Sequence, residues 1–153
     1  MMDYSETAIK HYTNPQNVGR LEVADGIGEV GNPVCGDILR LYIEVKDGVI
    51  TDVKFQTFGY GAIIASSSIA TEMIKGKTVE EALKLKNLDV IEALDGLPPV
   101  KIHCSVLAAQ AIHEAIADYY RREGKLTEKE IKKRCFLARS LQQQLTAQAT
   151  TQE

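Results

Sequence analysis

The run Ile38-Leu39-Arg40-Leu41-Tyr42-Ile43-Glu44-Val45-Lys46-Asp47-Gly48-Val49-Ile50-Thr51-Asp52-Val53-Lys54-Phe55-Gln56-Thr57 decides the fold. In its first half Leu39, Leu41, Ile43 and Val45 alternate with Arg40, Tyr42 and Glu44. A period of two is that of a strand with one face buried. Asp47-Gly48 is a strong signal for a tight hairpin turn. The return run puts Val49, Thr51, Val53, Phe55 and Thr57 on one face and Asp52, Lys54 and Gln56 on the other. One apolar and one polar face predict an antiparallel sheet covered on a single side. A hairpin also brings its two open ends together, so residues near 37 and near 59 meet at the end away from the turn.

Both ends carry chemistry. Before the hairpin stands Gly31-Asn32-Pro33-Val34-Cys35-Gly36-Asp37, a turn by its Gly and Pro, with a thiol and a carboxylate two residues apart. On its own Cys-x-Asp is a weak pattern, and an incidental cysteine beside a turn-forming aspartate explains it equally well. After the hairpin comes Phe58-Gly59-Tyr60-Gly61, then a helical pattern from Gly61 to Lys75 with Ala62, Ala65, Ile69 and Met73 as its stripe, widened by Ile63, Ala70 and Ile74. Gly76 is placed to stop it. Ser66, Ser67 and Ser68 suit close helix packing, and no motif makes any of them a nucleophile.

Upstream, weak alternation between Gly19 and Gly31 predicts a short first strand. Ser5 is placed to cap a helix running to Thr13, which Asn14-Pro15 ends. Downstream, Thr78 with Glu81 forms a capping box, and Asn87 is placed to cap a helix that runs to Leu94. Leu97-Pro98-Pro99-Val100-Lys101-Ile102-His103-Cys104-Ser105 ends on adjacent His and Cys, both metal-ligand types. A long helix is predicted from Cys104 or Ser105 to Arg122, with Ala108, Ile112, Ala115, Ile116 and Tyr119 inward. His113 is read as a surface or partly packed residue. Thr127 and Glu130 form a second capping box, opening a helix to about Leu145. The fold class is therefore α+β: a small antiparallel three-stranded sheet packed against several helices. Residues 1–145 read as one domain, and 146–153 as a frayed tail.

The blocks Cys35-Gly36-Asp37, Phe58-Gly59-Tyr60-Gly61 with Ala65-Ser66-Ser67-Ser68, and Leu97 to Ser105, in this order, resemble the IscU/NifU-type scaffold proteins of iron–sulfur cluster assembly. The opening Tyr4-Ser5 and His11-Tyr12-x-Asn14-Pro15-x-Asn17-Val18-Gly19 fits the same family, and the resemblance runs to about Tyr120, closest to the compact IscU form. One position departs: the family pattern has a cysteine where Tyr60 stands. The resemblance implies a transient [2Fe-2S] cluster, built from iron and from sulfur supplied by an IscS-like, pyridoxal-phosphate cysteine desulfurase, and passed to acceptor apo-proteins. It implies docking and self-association, as a homodimer, through the first helix. It also implies that Leu97 to Lys101 is bound by a heat-shock ATPase chaperone, where the plainer role is a rigid loop that places His103 and Cys104.

The ligand set that follows is Cys35, Asp37, His103 and Cys104. Four thiolates would hold a cluster firmly, and Asp37, a harder and more easily protonated donor, makes the cluster labile. Two thiolates, a carboxylate and an imidazole equally suit tetrahedral zinc, so a zinc-binding regulator of the desulfurase stands as an alternative. A zinc hydrolase working through metal-bound water is a third reading, for which no general base can be named. Cys104, at a predicted helix N-terminus with Lys101 close by, is the candidate persulfide acceptor, because the helix end favours thiolate. The Tyr60 phenol is a poor ligand for a soft reduced cluster. Cys135 reads as a half-buried helix cysteine before it reads as a ligand.

Composition narrows the rest. Apolar residues at 44% and charged residues at 25% are those of a soluble globular chain. A net charge of -3 argues against nucleic acid as the main partner. No apolar run approaches a membrane span, and Met1-Met2-Asp3-Tyr4 lacks the features of a signal peptide, so the cytoplasm is the expected location. Three cysteines suit no disulfide framework.

Overall fold

A computed structural model describes residues 4–32, 37–59 and 61–135. The element order is α1 (Glu6–Thr13), β1 (Gly26–Asn32), β2 (Asp37–Lys46), β3 (Val49–Thr57), α2 (Ala62–Ile74), α3 (Val79–Leu83), α4 (Asn87–Ala93), a 3-10 turn (Pro99–Lys101) and α5 (Ile102–Glu123). Residues 128–135 are again helical. The expected helix to Leu145 and the frayed tail extend into residues outside the described ones.

The three strands form one antiparallel sheet in the order β1-β2-β3. Leu39, Leu41 and Ile43 are fully buried, and the register sets Phe55 opposite Leu41 and Val53 opposite Ile43 on the same face. The expected inward set on β3 needs one correction. The register slips between Glu44 and Val45, so Val45 pairs with Ile50 and Thr51 is the extra residue. This bulge reverses the alternation: Ile50 is fully buried, while Thr51 is exposed and Val49 only part-buried. The outer edge of β3 is covered by the chain after α1. Gly19 N–H donates to the Phe55 carbonyl, and Phe55 N–H to that of Asn17, each at 2.9 Å.

Two helices cover the apolar face. Helix α5 lies across β1 and β2 through Ala111, Ile112, Ala115 and Ile116, all fully buried. The small residues are needed there, because Gly26 and Gly28 bring the β1 backbone against that of α5. A Cβ on Gly28 would lie 2.3 Å from the Ala111 carbonyl oxygen. Helix α2 packs on β3. It is buried more widely than a single stripe: Ser66, Ser67 and Ser68 are fully enclosed, while Ile69 and Met73 are part-buried.

Caps set the helix ends. Ser5 accepts from Ala8 N–H at 3.0 Å, and its hydroxyl also donates to the Leu94 carbonyl. Thr78 and Glu81 make the expected reciprocal pair. Two expectations are corrected. Lys86, not Asn87, is the N-cap of α4, with Asp89 accepting from its N–H; Asn87 is the first helical residue and fully buried. His113 is fully buried in the core rather than at the surface.

Candidate metal centre

The site stands where the hairpin mouth meets the start of α5. Asp37 opens β2, and the strand holds its backbone. Beside it β3 ends in a tight return: Phe58 N–H and the Thr57 hydroxyl both donate to the Ile38 carbonyl, at 3.2 and 2.6 Å. Gly59 N–H then donates to the Thr57 hydroxyl at 3.1 Å. This fold-over lays Gly59 on the Asp37 carboxylate so closely that a Cβ there would lie 2.5 Å from Oδ1 and 2.3 Å from Ile63 Cγ2. The sequence places Gly59 only at the end of the returning strand, and its contact with the Asp37 carboxylate is new from the structure.

From the other side comes α5. Pro98-Pro99 cannot continue a helix inward, and the chain makes one 3-10 turn before α5 begins at Ile102, two or three residues ahead of the expected start at Cys104 or Ser105. His103 and Cys104 thus both fall in the first helical turn. No side chain caps this end, so its positive pole is left to the site itself. Cys104 is 2% exposed, and the His103 and Asp37 side chains are 25% and 18% exposed.

One donor atom each from Asp37, His103 and Cys104 lies within 4.8 Å of the others. His103 Nε2 is central, 3.8 Å from Asp37 Oδ2 and 3.5 Å from Cys104 Sγ. Tetrahedral zinc with bonds of about 2.0–2.3 Å keeps its ligands roughly 3.3–3.8 Å apart. The two distances from His103 match such an edge, and the third, Asp37 to Cys104, is at most 4.8 Å, so oxygen, nitrogen and sulfur donors can gather around one ion. A metal held here is bound by imidazole nitrogen, carboxylate oxygen and thiolate sulfur, so its affinity depends on pH.

Cys35 and Tyr60 lie outside the described residues. Cys135 is described, and it does not join the cluster. It is buried at the far end of α5, where its neighbour Arg134 stacks 5.6 Å from the Tyr120 ring. Sixteen residues of α5 separate Cys104 from Tyr120, about 24 Å at 1.5 Å per residue. Lys101 lines a cleft of about 340 Å³ against Tyr4, Tyr12 and Gly61. Cys104 and Cys135 form no disulfide. Among the described residues no helix is long and apolar enough to cross a membrane.

The Gly59 contact yields a test. Gly59→Ala is expected to push the Asp37 carboxylate off its position and weaken zinc binding roughly ten- to a hundredfold, the usual range when support for a ligand is lost. Competition with a chromophoric chelator measures this, and unchanged affinity would show that Asp37 does not hold the ion.

A sequence profile of the NifU-like N-terminal domain matches residues 3–126. The iron–sulfur cluster assembly scaffold protein IscU 1 of Archaeoglobus fulgidus is 60% identical over 123 residues, which are 80% of each chain. The IscU scaffold protein of Escherichia coli K12 is 54% identical over 129 residues, covering 81% of this chain and all of that one. Among solved structures, a crystal structure from Fervidobacterium Islandicum, of a protein assigned as an iron–sulfur cluster assembly scaffold for the SUF system, superposes with a TM-score of 0.60 at 25% identity. It covers 74% of this chain and 96% of that one.

Proposed function

The chain belongs to the NifU-like N-terminal domain family, and from that premise we propose that it is a scaffold on which an iron–sulfur cluster is built and from which it is passed on. The cluster is cargo, not a resident cofactor. The observation that carries this reading is the convergence of Asp37, His103 and Cys104 at an uncapped helix N-terminus, beside the hairpin end into which Cys35 leads. Relatives named as scaffold proteins support a carrier over a hydrolase.

Each residue has a part in the reading. Cys104 receives sulfur: its thiolate attacks the outer sulfur of a desulfurase persulfide, a new S–S bond forms on Cys104, and the desulfurase thiolate leaves. Cys35 and Cys104 supply soft thiolate ligands for a [2Fe-2S] cluster, and Asp37 supplies a hard one. His103, within reach of both described ligands, is placed to exchange with Asp37 as the cluster departs to an apo-protein. Within Leu97 to Lys101, Leu97 and Pro98 turn inward while Pro99 and Val100 are exposed, Val100 at 62%, and this exposed turn supports use by a chaperone. Helix α1 exposes Ile9 at 50% and Tyr12 at 44%, an apolar edge suited to docking or self-association.

The donor set also favours a second reading. Clustered oxygen, nitrogen and sulfur donors suit zinc, and the protein would then regulate a desulfurase. Metal and acid-labile sulfide content after purification without air separates the two. Iron with matching sulfide is the expected result, and zinc without sulfide would overturn the scaffold reading.

Tyr60 provides a further prediction. Tyr60→Cys places thiolate where the family pattern has one and is expected to lengthen the lifetime of a reconstituted cluster in air. A phenol is a poor ligand for a soft reduced cluster, whereas a thiolate adds a metal–sulfur bond. Absorbance decay follows it, and decay at the original rate would show that residue 60 does not face the cluster.

A further inference from the structure

Past residue 126 the chain leaves the matched family domain, yet it continues as helix over 128–135. This segment is built into the protein. Thr127 caps it, accepting from Glu130 N–H at 3.2 Å. Ile131 and Cys135, one turn apart, are 1% and 2% exposed and belong to the core. Arg134 lies over the Tyr120 ring.

Its outer face has another character. Lys129, Lys132 and Lys133 are exposed and fall at i, i+3 and i+4, so they are neighbours on one turn. Nearby cations are matched: Arg121 with Glu128, Arg122 with Asp118, Lys125 with Glu123. The three lysines make no ion pair among the described residues. Like charges so placed weaken a helix, and no carboxylate among the described residues stands within ion-pair distance of these three. Residues 121–135 hold seven basic and three acidic side chains, a net +4 in a chain of net -3, which leaves -7 on the remainder.

We propose that the helix beginning at residue 128 is a docking handle for an acidic segment of a protein partner. A nucleic acid needs a broad basic track, and its extended charge would meet the acidic remainder. A membrane surface needs an exposed apolar flank, and here that flank is spent on the core. A short acidic segment lies within a screening length of about 8 Å of the lysines and escapes the more distant acidic groups. The handle stands at the end of α5 opposite Asp37, His103 and Cys104, so a partner held there leaves that end uncovered.

The test is an NMR titration of the isotope-labelled full chain with a short oligoglutamate peptide, a short DNA duplex and phosphatidylglycerol vesicles in parallel. The peptide is expected to shift amides of residues 125–135 and no other cluster of residues. The changes Lys129→Gln, Lys132→Gln and Lys133→Gln together should weaken its binding roughly tenfold without altering the melting curve. The corresponding Glu triple should abolish it. Shifts scattered over the surface, binding unaffected by the Gln triple, or tighter binding of the duplex or the vesicles would each overturn the proposal. Metal content plays no part in the readout, so its failure leaves the scaffold reading untouched.

Discussion

Serine in place of Cys104 is expected to weaken zinc binding by more than about a hundredfold, beyond the range seen when only a supporting partner of a ligand is lost. It should also remove the sulfur added by desulfurase. The change exchanges one small buried side chain for another at a position 2% exposed, so the helix should persist. The donor does not persist: a neutral hydroxyl is hard and binds soft metals poorly. What remains is Asp37 and His103, 3.8 Å apart, with whatever residues 33–36 supply. Cys135→Ser is the control. That thiol lies beside Tyr120 at the other end of α5, about 24 Å along the helix axis from Cys104, and its loss should leave affinity unchanged. Chelator competition measures the metal, and intact-mass spectrometry after incubation with desulfurase and cysteine locates the sulfur. Undiminished zinc affinity in Cys104→Ser would remove Cys104 from the centre, and persulfide found only on Cys35 or Cys135 of the unchanged protein would remove it as sulfur acceptor.

Half of this site can be read from residue order. The alternation from Leu39 to Val45 and the Asp47-Gly48 turn require a hairpin, and a hairpin requires that Asp37 and Gly59 meet. That His103 and Cys104 arrive at the same place is not implied by any local pattern, because the long stretch between them and Asp37 contains three helices. Family resemblance supplied that link, and the packing of α5 on β1 and β2 explains it. The misses have physical causes. Val49, Ile50 and Thr51 are all β-branched, so a period of two cannot tell which of them faces inward, and the bulge at Thr51 makes the choice. Asn is a preferred N-cap, yet burial of Asn87 moved the cap back to Lys86. His113 is polar within an apolar face, and composition alone sends it outward, whereas Ala109, Ile112 and Ile116 enclose that part of the helix. The contact of Gly59 with Asp37 depends on a fold-over of the chain that periodicity does not carry.

Gly28→Ala tests whether the sheet and the metal centre are one mechanical unit. The new Cβ would stand 2.3 Å from the Ala111 carbonyl oxygen and 2.5 Å from the Ala115 nitrogen. Both are backbone atoms of α5, so no side chain can rotate aside. Nor can β1 retreat, since Gly28 is held in register opposite Leu41, and Ile27 N–H donates to Asp118 of α5 at 2.9 Å. The helix must therefore shift, and overpacking against backbone should cost about 3 kcal/mol, the upper part of the usual range. For a chain of this size that lowers the melting temperature by about 10 °C. A helix moves largely as a rod, so displacement at Ala111 carries to His103, about 12 Å along the axis, and draws Nε2 away from Asp37. Zinc affinity should fall together with stability, although Gly28 touches none of the ligands. Calorimetry and chelator competition on the same preparation decide it. A variant that melts near the parent temperature would mean that β1 and α5 are not in backbone contact. One that is destabilised but binds zinc undiminished would mean that the start of α5 is positioned by its own 3-10 turn and not by the sheet.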